Sequence, residues 1–258
     1  MITQTLPKEA FHHFSAMKKE PKEIFFRGDT GLLNRPKISI VGTRRPSQYT
    51  EYMTVNIARK LSQAGVVIVS GAAMGVDAQA HYGAGVGNTI AVMANGLNIH
   101  YPATNRELIR GIEKEGLTIS TYPDDTISAY WSFVARNELV VALGDVLIVS
   151  EAERNSGSMR SVEYAKKMGK KIYTFPHRMG ESEGSMELVK KGEAEIIYDV
   201  DAFVARYGEA KIIENDEFLQ FCQTAPSYEA ALKLFGEKVS LYELEGKIAV
   251  KDGRVRVL

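Results

Sequence analysis

The stretch Ile38-Ser-Ile-Val-Gly-Thr-Arg-Arg-Pro-Ser47 joins a buried-strand signature to a glycine turn and two adjacent cations. Ile38, Ile40 and Val41 are β-branched and stand just before Gly42, as expected of the first, central strand of a parallel sheet buried on both faces. The turn that follows faces a ligand. Gly42 lets the backbone come close, Thr43 and Ser47 offer hydroxyls, and Arg44 and Arg45 place positive charge where a helix begins. A phosphate is the natural anion for such a turn.

Outward from this stretch, short β-branched runs alternate with helical periodicity from Pro36 to about Ile197, the pattern of a doubly wound α/β sheet. Met53, Ile57, Leu61 and Ala64 mark a helix that Ser47 caps and Gly65 ends. Strands are expected at Val66–Ser70, Thr89–Met93, Leu117–Ser120, Val146–Val149, Lys171–Phe175 and Ala194–Ile197. Thr104, with Glu107 three residues on, reads as a capping box. A loop over Thr121–Trp131 precedes a helix from about Ser132 to Leu143, and Ser156-Gly-Ser158 heads the next.

The flanks read differently. Residues 1–36 form a mixed lead-in expected to pack on the main domain. Within it Arg27-Gly-Asp29 matches an adhesion tripeptide, but Gly-Asp chemistry favours a turn after a short strand. Residues 37–207 make the main domain, and 208–215 read as a linker. Residues 216–258 are expected to form three helices and a hairpin turning at Asp252-Gly253, a small winged-helix-like domain. Nucleic-acid binding and docking on a partner are equally open for this unit, whose helices carry few basic residues.

Composition narrows the function. The chain has 258 residues, 45% hydrophobic and 25% charged, with 32 basic and 32 acidic side chains and a formal net charge of zero. A polyanion site must therefore be a local concentration of charge. No apolar run approaches the roughly 18 to 20 residues of a membrane-spanning helix. The first residues include an acid and lack an apolar core, so no signal peptide is expected. The single cysteine, Cys222, rules out an internal disulfide and fits a reducing cytoplasm.

In open parallel sheets, ligands sit beyond the carboxyl ends of the strands where strand order reverses. The informative residues fall there: Gly42 to Ser47, Ser70-Gly71 with Gly75, Asn95-Gly96, Ser120 and Ser156-Gly157-Ser158. Three of these turns open helices, whose free amides favour phosphate oxygens. Gly71-x-x-x-Gly75-x-Asp77 lacks the spacing of a dinucleotide fingerprint, and neither a phosphate-loop lysine motif nor a G-x-S-x-G elbow occurs. Asp77 and His81 share a helix face, but with no third ligand they read as packing rather than a metal site. His100 and His177 read as solvated loop residues, and Glu151 as an anchor for loop amides. Between Thr126 and Asn137, Tyr130, Trp131 and Phe133 stand beside Arg136 and Asn137, as a site that stacks single-stranded bases requires. Core burial of Trp131 or Phe133 is an equal alternative.

Together these residues make the chain resemble the bacterial DNA-processing protein A family, also called Smf. Five blocks carry the resemblance in order: Val41-Gly-Thr-Arg-Arg-Pro-Ser47 with Tyr49; Ser70-Gly-Ala-Ala-Met-Gly-Val-Asp77; Asn95-Gly-Leu97 with Tyr101-Pro102; Phe133-x-x-Arg136-Asn137; and Glu151-Ala152 with Ser156-Gly-Ser158. The lead-in and the C-terminal unit also match the family's layout. The resemblance implies an extended Rossmann-like sheet and a cytoplasmic, nonenzymatic homodimer that needs no cofactor or metal. Such a protein binds single-stranded DNA and loads a RecA-type recombinase in natural transformation.

Carried over by motif, Gly42, Thr43, Arg44, Arg45 and Ser47 would grip phosphates or base edges. Ser70, Gly71, Asn95 and Ser156 to Ser158 would line the site with donors. Trp131, Phe133, Arg136 and Asn137 would stack and position a base. Thr50, Glu138 and Arg160 depart from the family pattern; Glu138 weakens the local positive field and Arg160 strengthens it. The segment Met186–Phe203 is the expected dimer edge. The alternative is a nucleotide-processing enzyme of the phosphoribohydrolase type, marked by P-G-G-x-G-T and a catalytic glutamate. The corresponding turn here reads Asn155-Ser-Gly-Ser-Met-Arg160.

Overall fold

The computed structural model describes residues 1–208 and 217–257, in two compact units, Met1–Ala210 and Lys211–Leu258. The expected linker, beyond Gly208, lies outside the described residues.

The first unit is built on one nine-stranded sheet. Its strands are β1 (Gln4–Thr5), β2 (Phe25–Gly28), β3 (Lys37–Val41), β4 (Val67–Ser70), β5 (Thr89–Met93), β6 (Leu117–Ser120), β7 (Val146–Val149), β8 (Ile172–Thr174) and β9 (Glu195–Ile196), in the order β1-β2-β6-β5-β4-β3-β7-β8-β9. From β6 to β9 every pairing is parallel, and β3 stands in the middle of that run. The chain builds outward from β3 through β4, β5 and β6, then crosses back to add β7 on the other side. Strand order therefore reverses at β3, and the crevice lies beyond its carboxyl end.

Alternation along the central strands divides the core between two faces. Val67, Val69, Leu147 and Val149 point to one, Ile38, Ile40, Ile68, Val146 and Ile148 to the other. The second face is covered by α1 (Gln48–Gln63), through Ile57, Ala58 and Leu61, and by α2 (Val76–Ala84), through Val76, Ala80 and Ala84. Along it follows α3 (Arg106–Glu115), where Leu108, Ile109 and Ile112 pack against Ala91 and Met93. The opposite face carries α4 (Tyr130–Leu143), α5 (Gly157–Lys167) and α6 (Glu183–Lys190), and α7 (Val200–Val204) returns to the side of α1. No helix among the described residues is long and apolar enough to cross a membrane.

Three local expectations change. The lead-in does more than pack on the sheet, since β1 and β2 extend it, β2 running antiparallel to β6. Arg27-Gly28 ends β2, and Asp29 then caps a short turn by accepting the Gly31 amide, as the turn reading required. The capping box at Thr104 does not form. Thr104 lies in a tight turn and α3 starts at Arg106, because Asn105 spends its side-chain amide on the carbonyls of Ala72 and Ala73 at 3.0 Å each. Finally, α4 begins at Tyr130, two residues earlier than expected, so Tyr130 and Trp131 join Phe133 on the helix rather than lying in the loop. Ala129 has no capping side chain, but Ser132 reaches back to accept the Ala129 amide at 2.9 Å.

The second unit has its own core of Phe218, Cys222, Ala231, Val239, Ile248 and Val255. Helices α8 (Glu217–Cys222), α9 (Tyr228–Phe235) and α10 (Lys238–Leu244) precede a hairpin of β10 (Ile248–Lys251) and β11 (Arg254–Val257). Asp252 and Gly253 both adopt positive φ, the backbone a two-residue hairpin turn demands.

Candidate nucleic-acid interface

The loop after β3 is held open by its neighbours. Thr43 donates its amide to the carbonyl of Glu151, the residue just past β7, and its own carbonyl accepts from Val76 at the head of α2. Ser47 caps α1 by accepting the Thr50 amide and donates to Glu151 Oε2 at 2.9 Å; the same carboxylate oxygen accepts the Ser47 amide. Glu151 is thus the loop anchor its position suggested. Gly75 must be glycine, for its φ is +77° and a Cβ would press on the backbone of Thr43 and Arg44.

These constraints frame a cavity of about 580 Å³ at the strand-order reversal. One wall is the β3 loop, with Gly42, Thr43 and Arg44. The opposite wall is the first turn of α5, with Ser156, Gly157 and Ser158, whose leading amides have no partner inside the helix. The third is α4, presenting Tyr130, Phe133, Arg136 and Asn137. Arg44 lies over the Phe133 ring, 5.3 Å from its centre, so cation and aromatic share one surface. Asn137 ties α4 to α5 by donating to the Gly157 carbonyl at 3.5 Å.

At the floor, Arg136 is 5% exposed and Asp77 8%. Arg136 Nη1 donates to the Val92 carbonyl at 3.2 Å and lies 3.6 Å from Asp77 Oδ2. Burial pushes the Asp77 carboxyl above its usual range, against the pull of Arg136. Burial likewise draws the Arg136 guanidinium down, with Asp77 opposing and Arg44 assisting. Mutual neutralisation keeps the pair inside the fold.

Of the expected residues, Gly42, Thr43, Arg44, Gly71, Phe133, Arg136, Asn137, Ser156, Gly157, Ser158 and Arg160 meet around this cavity. The others stand apart. Arg45 and Ser47 are exposed but outside its lining. Ser70 is buried and donates to the Ile40 carbonyl, locking β4 to β3 rather than facing a ligand. Asn95 is buried, holding the carbonyls of Gly96 and Ile99, and touches only a small neighbouring cleft. Trp131 projects outward, 63% exposed and edge-on to Tyr122 at 5.8 Å, so neither it nor Phe133 is fully core. Arg160 is offset by Glu163, 3.1 Å away.

The histidines resolve simply. His81 is fully buried, bonded to Thr89 Oγ1 at 2.7 Å, and burial drops its pKa to about 3, as its packing role implies. His100 and His177 are not solvated loop residues. The first meets Glu113 at 3.1 Å and the second the Ser150 carbonyl at 2.8 Å. Sequence reasoning passed over Asp77 as a cavity residue and missed Ser161. Asp77 sits next to the glycine-rich turn after β4, the signal that pointed to its place.

Known proteins resemble this chain over most of its first unit. The family model described as DNA recombination-mediator protein A matches residues 4–208. Protein Smf of Synechocystis sp. is 33% identical over 186 residues, 70% of this chain and 46% of that protein. DNA processing protein DprA of Bacillus subtilis is 31% identical, covering 71% of this chain and 63% of its own length. This chain therefore spans about half to two thirds of these relatives. Among solved structures, DNA processing protein A from Helicobacter pylori, described for its single-stranded DNA binding mode, superposes with a TM-score of 0.75 at 40% identity, over 79% of this chain and 94% of that one. DprA from Streptococcus pneumoniae superposes at 0.74 with 29% identity, over 80% of this chain and 74% of that one.

Proposed function

The chain belongs to the DNA recombination-mediator protein A family, and from that premise we propose that it binds single-stranded DNA without turning it over. One observation carries the reading. A cavity of about 580 Å³ brings Arg44, Phe133, Asn137 and the open first turn of α5 together at the strand-order reversal. Cations and leading helix amides suit phosphate, while Phe133 and Tyr130 suit a base face. A duplex hides its base faces and is expected to bind more weakly. The description of the Helicobacter pylori relative points the same way.

Around this cavity we assign direct contacts to Gly42, Thr43, Arg44, Gly71, Phe133, Arg136, Asn137, Ser156, Gly157, Ser158 and Arg160. Arg45 and Trp131 are placed to meet the strand as it leaves. Ser47, Ser70 and Asn95 support the loops. On this reading, the bound strand is handed to a RecA-type recombinase during natural transformation in the cytoplasm. The protein acts as a homodimer, for which the edge at β9, within Met186–Phe203, offers unpaired backbone groups. The boundaries near residues 36, 208 and 216 separate lead-in, DNA-binding domain and tail. The phosphoribohydrolase alternative is not favoured, because the turn at Asn155–Arg160 has serines and an arginine where that motif needs its glycines and glutamate.

Fluorescence anisotropy with a labelled single strand, the matching duplex and a nucleotide tests the reading. Single strands are expected to bind best, and Arg44→Ala with Arg45→Ala to weaken them. Equal binding by both proteins would remove the site assignment, and nucleotide hydrolysis without strand binding would overturn the function.

A further inference from the structure

Asp77 is the part of the cavity that phosphate binding leaves unexplained. A buried carboxylate lines a space otherwise furnished for an anion, and like charges in contact repel. The Ser70 hydroxyl is also a hydrogen-bond partner of Asp77, yet the carboxylate's contacts to charge and backbone are long. Asp77 Oδ2 stands 3.6 Å from Arg136 Nη1 and accepts the Ala73 amide at 3.4 Å, whereas charged partners usually close to about 2.7–2.9 Å. Arg136 Nε, Ser156 Oγ and Ser161 Oγ are buried around the same cavity and meet no partner among the described residues. Buried polar atoms are nearly always satisfied, so this floor suits a guest that both donates and accepts.

Charge sets the guest's orientation. Asp77 and Arg136 neutralise each other at the floor, while exposed Arg44 and the leading amides of α5 keep the mouth positive. A phosphate is held at the mouth and the base enters the cavity. The two carboxylate oxygens call for two donors side by side, and the guanidinium for an acceptor next to them. Adenine and cytosine each offer one amine flanked by an acceptor, and thymine one N–H between two carbonyls. Guanine alone presents O6, N1–H and N2–H in a row.

On the single-strand reading above, we propose that the cavity selects a guanine base, with Asp77 as the specificity-determining residue. Asp77 accepts from guanine N1–H and N2–H, and Arg136 donates to O6.

The test uses the whole protein and oligomers of about twelve thymidines, plain or with one central dG, inosine, dA or dC. A single guanine prevents quadruplex formation. The dG oligomer is expected to bind roughly tenfold more tightly than plain thymidine, the scale of a matched bidentate contact. Inosine keeps O6 and N1–H but lacks the amine, and is expected to fall between them. Asp77→Asn is expected to bring dG and inosine level. Equal binding of dG, inosine and plain thymidine by the wild type overturns the proposal while single-strand binding stands. Failure of every oligomer to bind overturns both. A guanine preference that survives Asp77→Asn overturns the assignment to Asp77. The wild-type comparison of dG with inosine requires no variant and decides the matter even if Asp77→Asn does not fold.

Discussion

Arg136 Nη1 occupies the space that a side chain on Gly71 would need, 3.6 Å from Asp77 Oδ2. A Cβ at position 71 would overlap that nitrogen and stand 2.6 Å from the same carboxylate oxygen. The glycine after β4 therefore serves the ion pair behind it. Gly71→Ala is expected to lower stability by about 1–3 kcal/mol, the cost of overpacking, and to weaken single-strand binding. Urea denaturation and anisotropy measure the two effects; an unchanged midpoint contradicts the packing.

Removing one partner of the buried pair strands the other. Arg136→Met is expected to cost about 3–5 kcal/mol, while pairing it with Asp77→Leu recovers much of the loss, since a buried ion pair contributes little net stability over apolar side chains. A double-mutant cycle by urea denaturation checks this. Additive losses would show that the two side chains are not coupled.

Arg44 is exposed and stacked on Phe133, so its replacement leaves the core alone. Arg44→Ala is expected to weaken binding of all sequences alike and to reduce the slope of log affinity against log salt by roughly 0.7, one phosphate contact on a single strand. Titrations at several salt concentrations measure the slope. An identical slope would show that Arg44 touches no phosphate.

The buried His81 predicts acid sensitivity. Its pKa falls from 6.5 to about 3 in the folded chain because burial disfavours the charged imidazolium. Between those values the unfolded chain binds the extra proton, so stability is intact above about pH 6.5 and declines as pH falls toward 3, by up to about 1.4 kcal/mol per pH unit. His81→Gln has no such titration and is expected to flatten the dependence between pH 6 and 4. Denaturation midpoints across that range test it; parallel profiles for both proteins remove His81 as the cause.

Strands and their order of appearance were legible in the sequence because a strand buried on both faces, such as Val146–Val149, tolerates little but β-branched and aliphatic residues. The turn after Ile38–Val41 was legible for a related reason: glycine, hydroxyls and arginines in that order have few uses besides an anion. The start of α4 was not, since Ala129 carries no cap signal and the helix is secured by Ser132 and by packing on the sheet. Nor was the floor of the cavity. Asp77 and Arg136 are distant in the chain, and only the crossover that sets β7 beside β3 and lays α4 across the sheet brings guanidinium to carboxylate. Local pattern determines where the chain turns and which face it buries, through short-range sterics and hydrophobicity. Which charges share a cavity is decided by tertiary topology, because electrostatic pairing depends on distance in space, to which separation along the chain is no guide.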